Sequence, residues 1–325
     1  MAIYDLDARS RAPSFLALGR TGRAAIWRYL LGVCVFGLTA YVLAAIPFLL
    51  AIIAVLQTGI ASTFDLATLS TGDKLVDFVI LNAAFPMMWV GVLLAVRLVH
   101  GRPFRSVVTA APSVRWRRIG HGAAAWLGVA TVATAADVVL HPDLYRIAVE
   151  PRTWLLLLPL ALLLTPIQTT AEELQFRGYL LQTAGRLLRR PWLAALTTTV
   201  LFTVLHAGNA EFWAEPSVGW VPYFAYALVW AAATIRDDGM ELAIGAHAAN
   251  NLFGFLLVDE AGSTARVGAL LTRIENDPTG GAIGAIAMAA AFWIVLFGLP
   301  TDLRALGRRL GQAHRRRPWS APHRA

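Results

Sequence analysis

Three short patterns in this sequence bring together residue types that can cleave an amide. In AEELQFRGYL, Glu172 and Glu173 are followed by Arg177; in LFTVLHAGN, Phe202 and His206 are four apart; in HAANN, His247 is followed by Asn250 and Asn251. On a helix, Glu173 and Arg177 share a face with the acid on the N-terminal side, the favourable order for an ion pair. That pairing leaves Glu172, about 100° round the helix, on the face of Gln168, Gln175 and Phe176 with no cation of its own. A carboxylate beside an apolar wall without a counter-ion suits a general base. The spacings of Phe202 with His206, and of His247 with Asn250 and Asn251, put each set on one helix face. Histidine and asparagine can both donate to the oxyanion of a tetrahedral intermediate, where preorganised donors in a dry site contribute several kcal/mol.

The elements that must position these groups are membrane helices. Of 325 residues, 57% are hydrophobic and 15% charged, against about 45–50% and about 25% in soluble domains, and the mean hydropathy is +0.59. This composition argues against a soluble enzyme. A net charge of +8 would suggest nucleic acid in a soluble chain, but here the basic residues flank apolar stretches, so no nucleic-acid partner is expected. The single cysteine, Cys34, excludes an intramolecular disulfide and a multi-cysteine metal cluster. With about 20 apolar residues per span, eight spans are expected, near 26–56, 76–99, 119–140, 154–181, 191–207, 218–235, 240–258 and 281–299. The first holds Pro47 and should tilt or kink; it is too long for a signal peptide. The fifth and seventh are short and spotted with polar residues. The fold class expected is an all-α polytopic bundle.

Orientation follows from the basic residues, which are retained on the cytoplasmic side. Twenty-two of them fall on one side and five on the other, with Arg177 inside a span. Both termini are therefore expected in the cytoplasm. The chain divides into a cytoplasmic segment at 1–25, a membrane domain at 26–300 and a basic cytoplasmic tail at 301–325. Asp77, Asp137 and Glu241 lie near span ends, where water is expected to reach them. Charged residues at a helix centre cost about 2.5–3.5 kcal/mol on insertion scales, so Glu172, Glu173 and Arg177 mark function. Glu172 and His206 are each 17 residues from Arg189, so an antiparallel hairpin turning there places them at matching depth. His247 follows Gly239 by only eight residues, about 12 Å at 1.5 Å per residue, and is matched less well.

Taken in order, EExxxR, FxxxH and HxxxN two spans later resemble the pattern of the CAAX-protease and bacteriocin-processing (CPBP, or Abi) family of intramembrane proteases. The match covers roughly residues 150–260, and three motifs in order are far more specific than any one. The resemblance implies a bundle of about eight spans with a polar cavity toward the cytosol or inner leaflet. It implies that Glu172 and His206 activate a water for peptide hydrolysis, that His247 and Asn251 stabilise the oxyanion, and that Glu173 and Arg177 support Glu172.

One Glu and two His would equally make a three-ligand zinc site of Glu172, His206 and His247 with an open water position, and the family is often labelled metalloprotease. The chain lacks the H-E-x-x-H helix that makes zinc the default, and a metal-independent, glutamate-activated water is the preferred expectation. The expected partners are the lipid bilayer and a membrane protein or peptide substrate. One Lys against 27 Arg, with abundant Ala, points to a GC-rich prokaryote and a bacterial inner membrane, where prenylated C-a-a-X proteins are not expected. The competing readings are an inactive scaffold of the same family and a proton-coupled transporter. The latter lacks clear inverted repeats.

Overall fold

Proline at the first turn, where its missing N–H costs nothing, starts several of the helices in this computed structural model, which describes residues 14–65, 70–147, 149–261, 263 and 267–298. The tail at 301–325 and the first part of the N-terminal segment lie outside the described residues. Among the described residues eight long helices follow in order: α1 (Ile26–Gln57), α2 (Lys74–Val99), α3 (Trp116–Leu140), α4 (Pro151–Leu188), α5 (Pro191–Leu205), α6 (Val221–Asp237), α7 (Glu241–Leu256) and α8 (Pro278–Phe297). Each overlaps one of the eight apolar stretches. Five of them, α1 to α4 and α8, are long and apolar enough to cross a bilayer by length and composition. The apolar α5 has 15 residues, and α6 and α7 have 17 and 16.

Large apolar side chains such as Leu155, Leu163, Val200, Ile283 and Val295 are exposed. In water that would be an interaction surface; in a bilayer it is the lipid-facing side. The chain is accordingly a multi-pass helical membrane protein. The interior holds aromatic residues among alanines, with Trp126, Trp230 and Phe292 packed together beside Ala243 and Ala246.

Two local features depart from a plain helix pattern. Pro47 is not the only irregularity in α1. A π-helical stretch at Leu38–Leu43 widens the helix before it restarts at Ala45, which places Pro47 in a first turn where no donor is lost. Another π-helical stretch, Leu174–Leu180, interrupts α4 just after the two glutamates; such wide turns recur at functional sites. The all-α expectation also misses a small sheet. β1 (Tyr145–Ile147), β2 (Val258–Glu260) and β3 (Leu271–Arg273) pair in the order β1-β3-β2, with Arg146 opposite Thr272 antiparallel and Asp259 beside Thr272 parallel. Tyr145 donates to Asp137 at 2.5 Å. Burial and that carboxylate push its phenol up to about 12, so it remains a donor through the physiological range.

The helix that carries His247 and Asn251 is fixed by glycine contact and by charge. A Cβ on Gly245 would lie 1.9 Å from the Ile119 carbonyl oxygen, and one on Gly122 would lie 2.2 Å from that of Leu242. The α3 and α7 backbones therefore touch, in the manner of small residues at membrane-helix interfaces. At the arginine-rich end, Glu241 corrects its expected solvation: it is fully buried and held by Arg115 through Nε at 3.0 Å and Nη2 at 2.7 Å. Arg115 also reaches Asp237 at 3.0 Å, and Arg118 pairs with the same carboxylate. A buried carboxylate is tolerable only when paired in this way, and the pairing locks the ends of α3, α6 and α7 together.

Candidate active site

The two-residue turn between α4 and α5 is as tight as the depth argument needs. Arg189 takes the left-handed conformation with φ 58°, Arg190 is extended, and Pro191 opens α5. The hairpin brings Glu172 and His206 together: Glu172 Oε2 lies 3.9 Å from His206 Nε2. It lies 3.8 Å from His247 Nε2 as well. His247 reaches the site from a different level, because its ring faces Phe202 at 6.0 Å, one turn before His206 on α5. One carboxylate oxygen spans that turn and faces both imidazoles.

Behind this triangle sits the expected ion pair. Arg177 Nη1 donates to Glu173 Oε1 at 2.9 Å, and both side chains are essentially inaccessible, at 1% and 0% exposure. Four residues still return to nearly the same face through the wide turn. The same Glu173 oxygen receives His247 Nδ1 at 2.8 Å, a contact that helix spacing could not reveal. The guanidinium lies over the rings of Phe202 at 4.4 Å and Trp230 at 5.4 Å, and Trp230 stacks on His247 at 4.6 Å. Cation–π contact of this kind is strongest away from water.

Partner chemistry fixes which ring nitrogens face Glu172 with a lone pair. His206 Nδ1 meets the Phe202 carbonyl oxygen at 2.8 Å, which can only accept, so Nδ1 carries the proton and neutral Nε2 is an acceptor. In the same way His247 Nδ1 donates to Glu173. Tyr223 lies against His206 at 4.8 Å between ring centres. Its hydroxyl donates to Glu211 at 2.8 Å and accepts from Asn209 at 2.9 Å. Asn251, one turn beyond His247, is oriented by a chain: Trp126 Nε1 donates to Asn250 Oδ1 at 3.2 Å, and Asn250 Nδ2 to Asn251 Oδ1 at 3.0 Å. With its oxygen occupied, Asn251 presents its amide N–H groups. Gln168 Oε1, Glu172 Oε2 and Glu173 Oε2 are buried without a hydrogen-bond partner, as are the donors Gln175 Nε2, Arg177 Nη2 and Trp230 Nε1, so polar capacity of both kinds is left open around the glutamates.

Glu172, Glu173, Arg177, His206 and His247 thus converge, and Asn251 stands one turn beyond His247 on α7. Sequence spacing missed Tyr223, Trp230, Asn250 as a link, and Trp126. Trp230 stands out only as a large ring before three alanines in α6, and nothing marks Tyr223. The alternative zinc set finds no support: among the described residues no group of three or more His, Cys, Asp or Glu side chains is placed to hold a metal ion. The metalloprotease label is therefore not carried further, and no step is derived through a metal.

This constellation in a helical membrane bundle defines a class, and the comparisons agree with it. Residues 151–253 match the profile of the Rce1-like family, described as type II CAAX prenyl endopeptidase Rce1-like. The chain belongs to this family of CAAX-type membrane peptidases. Among particular relatives, it is 36% identical over 273 residues to the protein YyaK of Bacillus subtilis (strain 168), covering 83% of this chain and 91% of YyaK. No solved structure gives a significant match.

Proposed function

We propose that this chain is an intramembrane endopeptidase that hydrolyses a peptide bond of a membrane-associated protein or peptide with a water held between Glu172 and His206. The observation that carries the reading is the unpartnered, buried Glu172 Oε2 facing two imidazole nitrogens at 3.8 and 3.9 Å. Those gaps are too long for hydrogen bonds and suit one bridging water. A water donating one proton to ionised Glu172 and the other toward neutral His206 keeps a lone pair free for the substrate carbonyl carbon. Glu172 takes the proton as the oxygen attacks, and the same proton passes to the leaving amine as the intermediate collapses. His247, backed by the Glu173 carboxylate, carries a proton at Nε2 for the oxyanion when it is charged, and Asn251 adds an amide donor. Glu173 and Arg177 are positioning residues that act through His247 and through the backbone that bears Glu172.

The test is incubation of the purified protein with membrane peptides, comparing wild type with Glu172→Gln. Cleavage by wild type alone supports the reading, and equal cleavage by both, or none by either, moves a scaffold or transporter ahead. Asn251→Ala should leave residual turnover, with kcat/KM lower by about 10²–10³ if one oxyanion donor is removed. Unchanged kinetics in this variant would remove Asn251 from the site.

We place the chain in a bacterial inner membrane with eight spans and both ends in the cytoplasm, on the 22-to-5 asymmetry of basic residues. An epitope fused after Ala325 should then be labelled only in permeabilised cells; labelling of intact cells would reverse the orientation.

A further inference from the structure

The loop after α2 buries a guanidinium that, among the described residues, no carboxylate neutralises. Arg102 is 2% exposed. Its Nη1 donates to the Leu18 carbonyl at 2.5 Å and to Gln182 Oε1 at 3.0 Å. Among the described residues it forms no ion pair with an acidic side chain, and the hydroxyls of Tyr29 and Tyr179 lie near it. Its Nε and Nη2 are buried without a partner, and so are Arg186 Nε and Ser106 Oγ. Gln182 ties these residues together. It accepts from Arg102, donates Nε2 to the Ser106 carbonyl at 2.7 Å, and stands one turn before Arg186 on α4. Ser106 follows Arg102 by four residues.

Three of the four unpartnered atoms are N–H groups that cannot accept, and the fourth is a hydroxyl that can donate. A buried ion without compensation costs several kcal/mol, and neutral phenols do not supply the missing charge. What complements the set is an anion with several acceptor oxygens, which guanidinium forks match in shape as well as charge. The cluster lies at the arginine-rich end of the bundle, the end where lipid phosphates and polybasic segments meet. Arg186 is half-buried. The segment before α1 closes the other side: its short 3-10 helix, Phe15–Arg20, contributes the Leu18 carbonyl to Arg102 and the Gly19 carbonyl to the Tyr29 hydroxyl.

We propose that Arg102, Ser106 and Arg186 form a binding site for a phosphate group, carried either by a phospholipid headgroup or by a free phosphate, beneath the segment that precedes α1. The site is separate from the Glu172 centre, and its test does not depend on peptidase activity. Delipidated full-length protein in a non-ionic detergent is unfolded thermally against increasing inorganic phosphate at constant ionic strength. In a parallel series the additive is dioctanoyl phosphatidylglycerol, compared with dioctanoylglycerol, which lacks the phosphate.

The expected result is a saturable rise in the unfolding midpoint with at least one phosphate probe and none with dioctanoylglycerol. A response to inorganic phosphate assigns the free anion, and a response to the phospholipid alone assigns the headgroup. Arg102→Met should abolish the response. Arg186→Gln, at a half-buried position and harmless to the interior, should raise the half-saturating concentration at least tenfold. Arg117→Gln makes the same charge change at an exposed position and should leave it within twofold. No saturable rise in wild type, or an equal effect of Arg186→Gln and Arg117→Gln, overturns the proposal. The Arg186 comparison decides the matter even if Arg102→Met fails to fold.

Discussion

Glu172→Gln should fold, bind substrate and turn it over slower by about 10²–10⁴-fold, the range ascribed to a positioned general base. The amide is nearly the shape of the carboxylate, and the side chain is only 13% exposed, so the substitution changes charge and proton affinity with little change in packing. Glutamine cannot take the water's proton, and its amide NH2 would donate to His206 Nε2, the acceptor that the water needs. The variant should therefore lose kcat while KM stays near that of wild type, because no contact with the distant parts of a substrate is altered. Folding is checked by thermal unfolding and gel filtration, binding by retention of an uncleaved membrane peptide. Turnover at the wild-type rate would end the catalytic assignment. A variant that unfolds would be replaced by Glu172→Asp, which keeps the charge and withdraws it by one methylene; it should retain partial activity.

Much of this arrangement is legible in spacing because a helix converts sequence distance into geometry. The four-residue step from Glu173 to Arg177 predicts an ion pair, and the pair forms at 2.9 Å. Equal distances from Arg189 predict that Glu172 and His206 meet, and they do, because the Arg189–Arg190 turn wastes no length. What spacing cannot carry is contact between helices that are far apart in sequence. The bond from His247 to Glu173 depends on how deeply α7 sits against α3, and that depth is set by the missing side chains of Gly122 and Gly245 and by the Arg115–Glu241 pair. Glu241 was misread for the same reason: a position at a helix end says nothing of the Arg115 side chain, 126 residues away, that shields it. The wide turn at Leu174–Leu180 and the three-residue strands are too short to leave a periodicity. Tyr223 and Trp230 are aromatic residues in an aromatic-rich span, and only the rings they touch, His206 and His247, separate them from ordinary core.

Arg177→Ala should lower the yield of folded protein and the activity together, because it removes the permanent cation paired with a carboxylate that is fully buried. Breaking such a pair costs about 3–5 kcal/mol, a large part of the 5–15 kcal/mol by which typical folded domains are stable. The guanidinium also fills the space between Phe202 and Trp230, so alanine leaves a cavity beside the ring that stacks on His247. The double variant Glu173→Gln with Arg177→Met separates structure from chemistry. It removes both charges and keeps the volume, a change that is often neutral for buried pairs, so thermal stability should recover most of what either single change loses. Activity should stay low, because His247 Nδ1 would face an amide in place of the carboxylate that steadies its charged form. Stability is read by thermal unfolding of the purified variants, and activity by cleavage of the same membrane peptide. A well-folded, fully active Arg177→Ala protein would contradict the pairing. Recovery of full activity in the double variant would instead confine Glu173 and Arg177 to a structural role and leave His247 to act without its carboxylate.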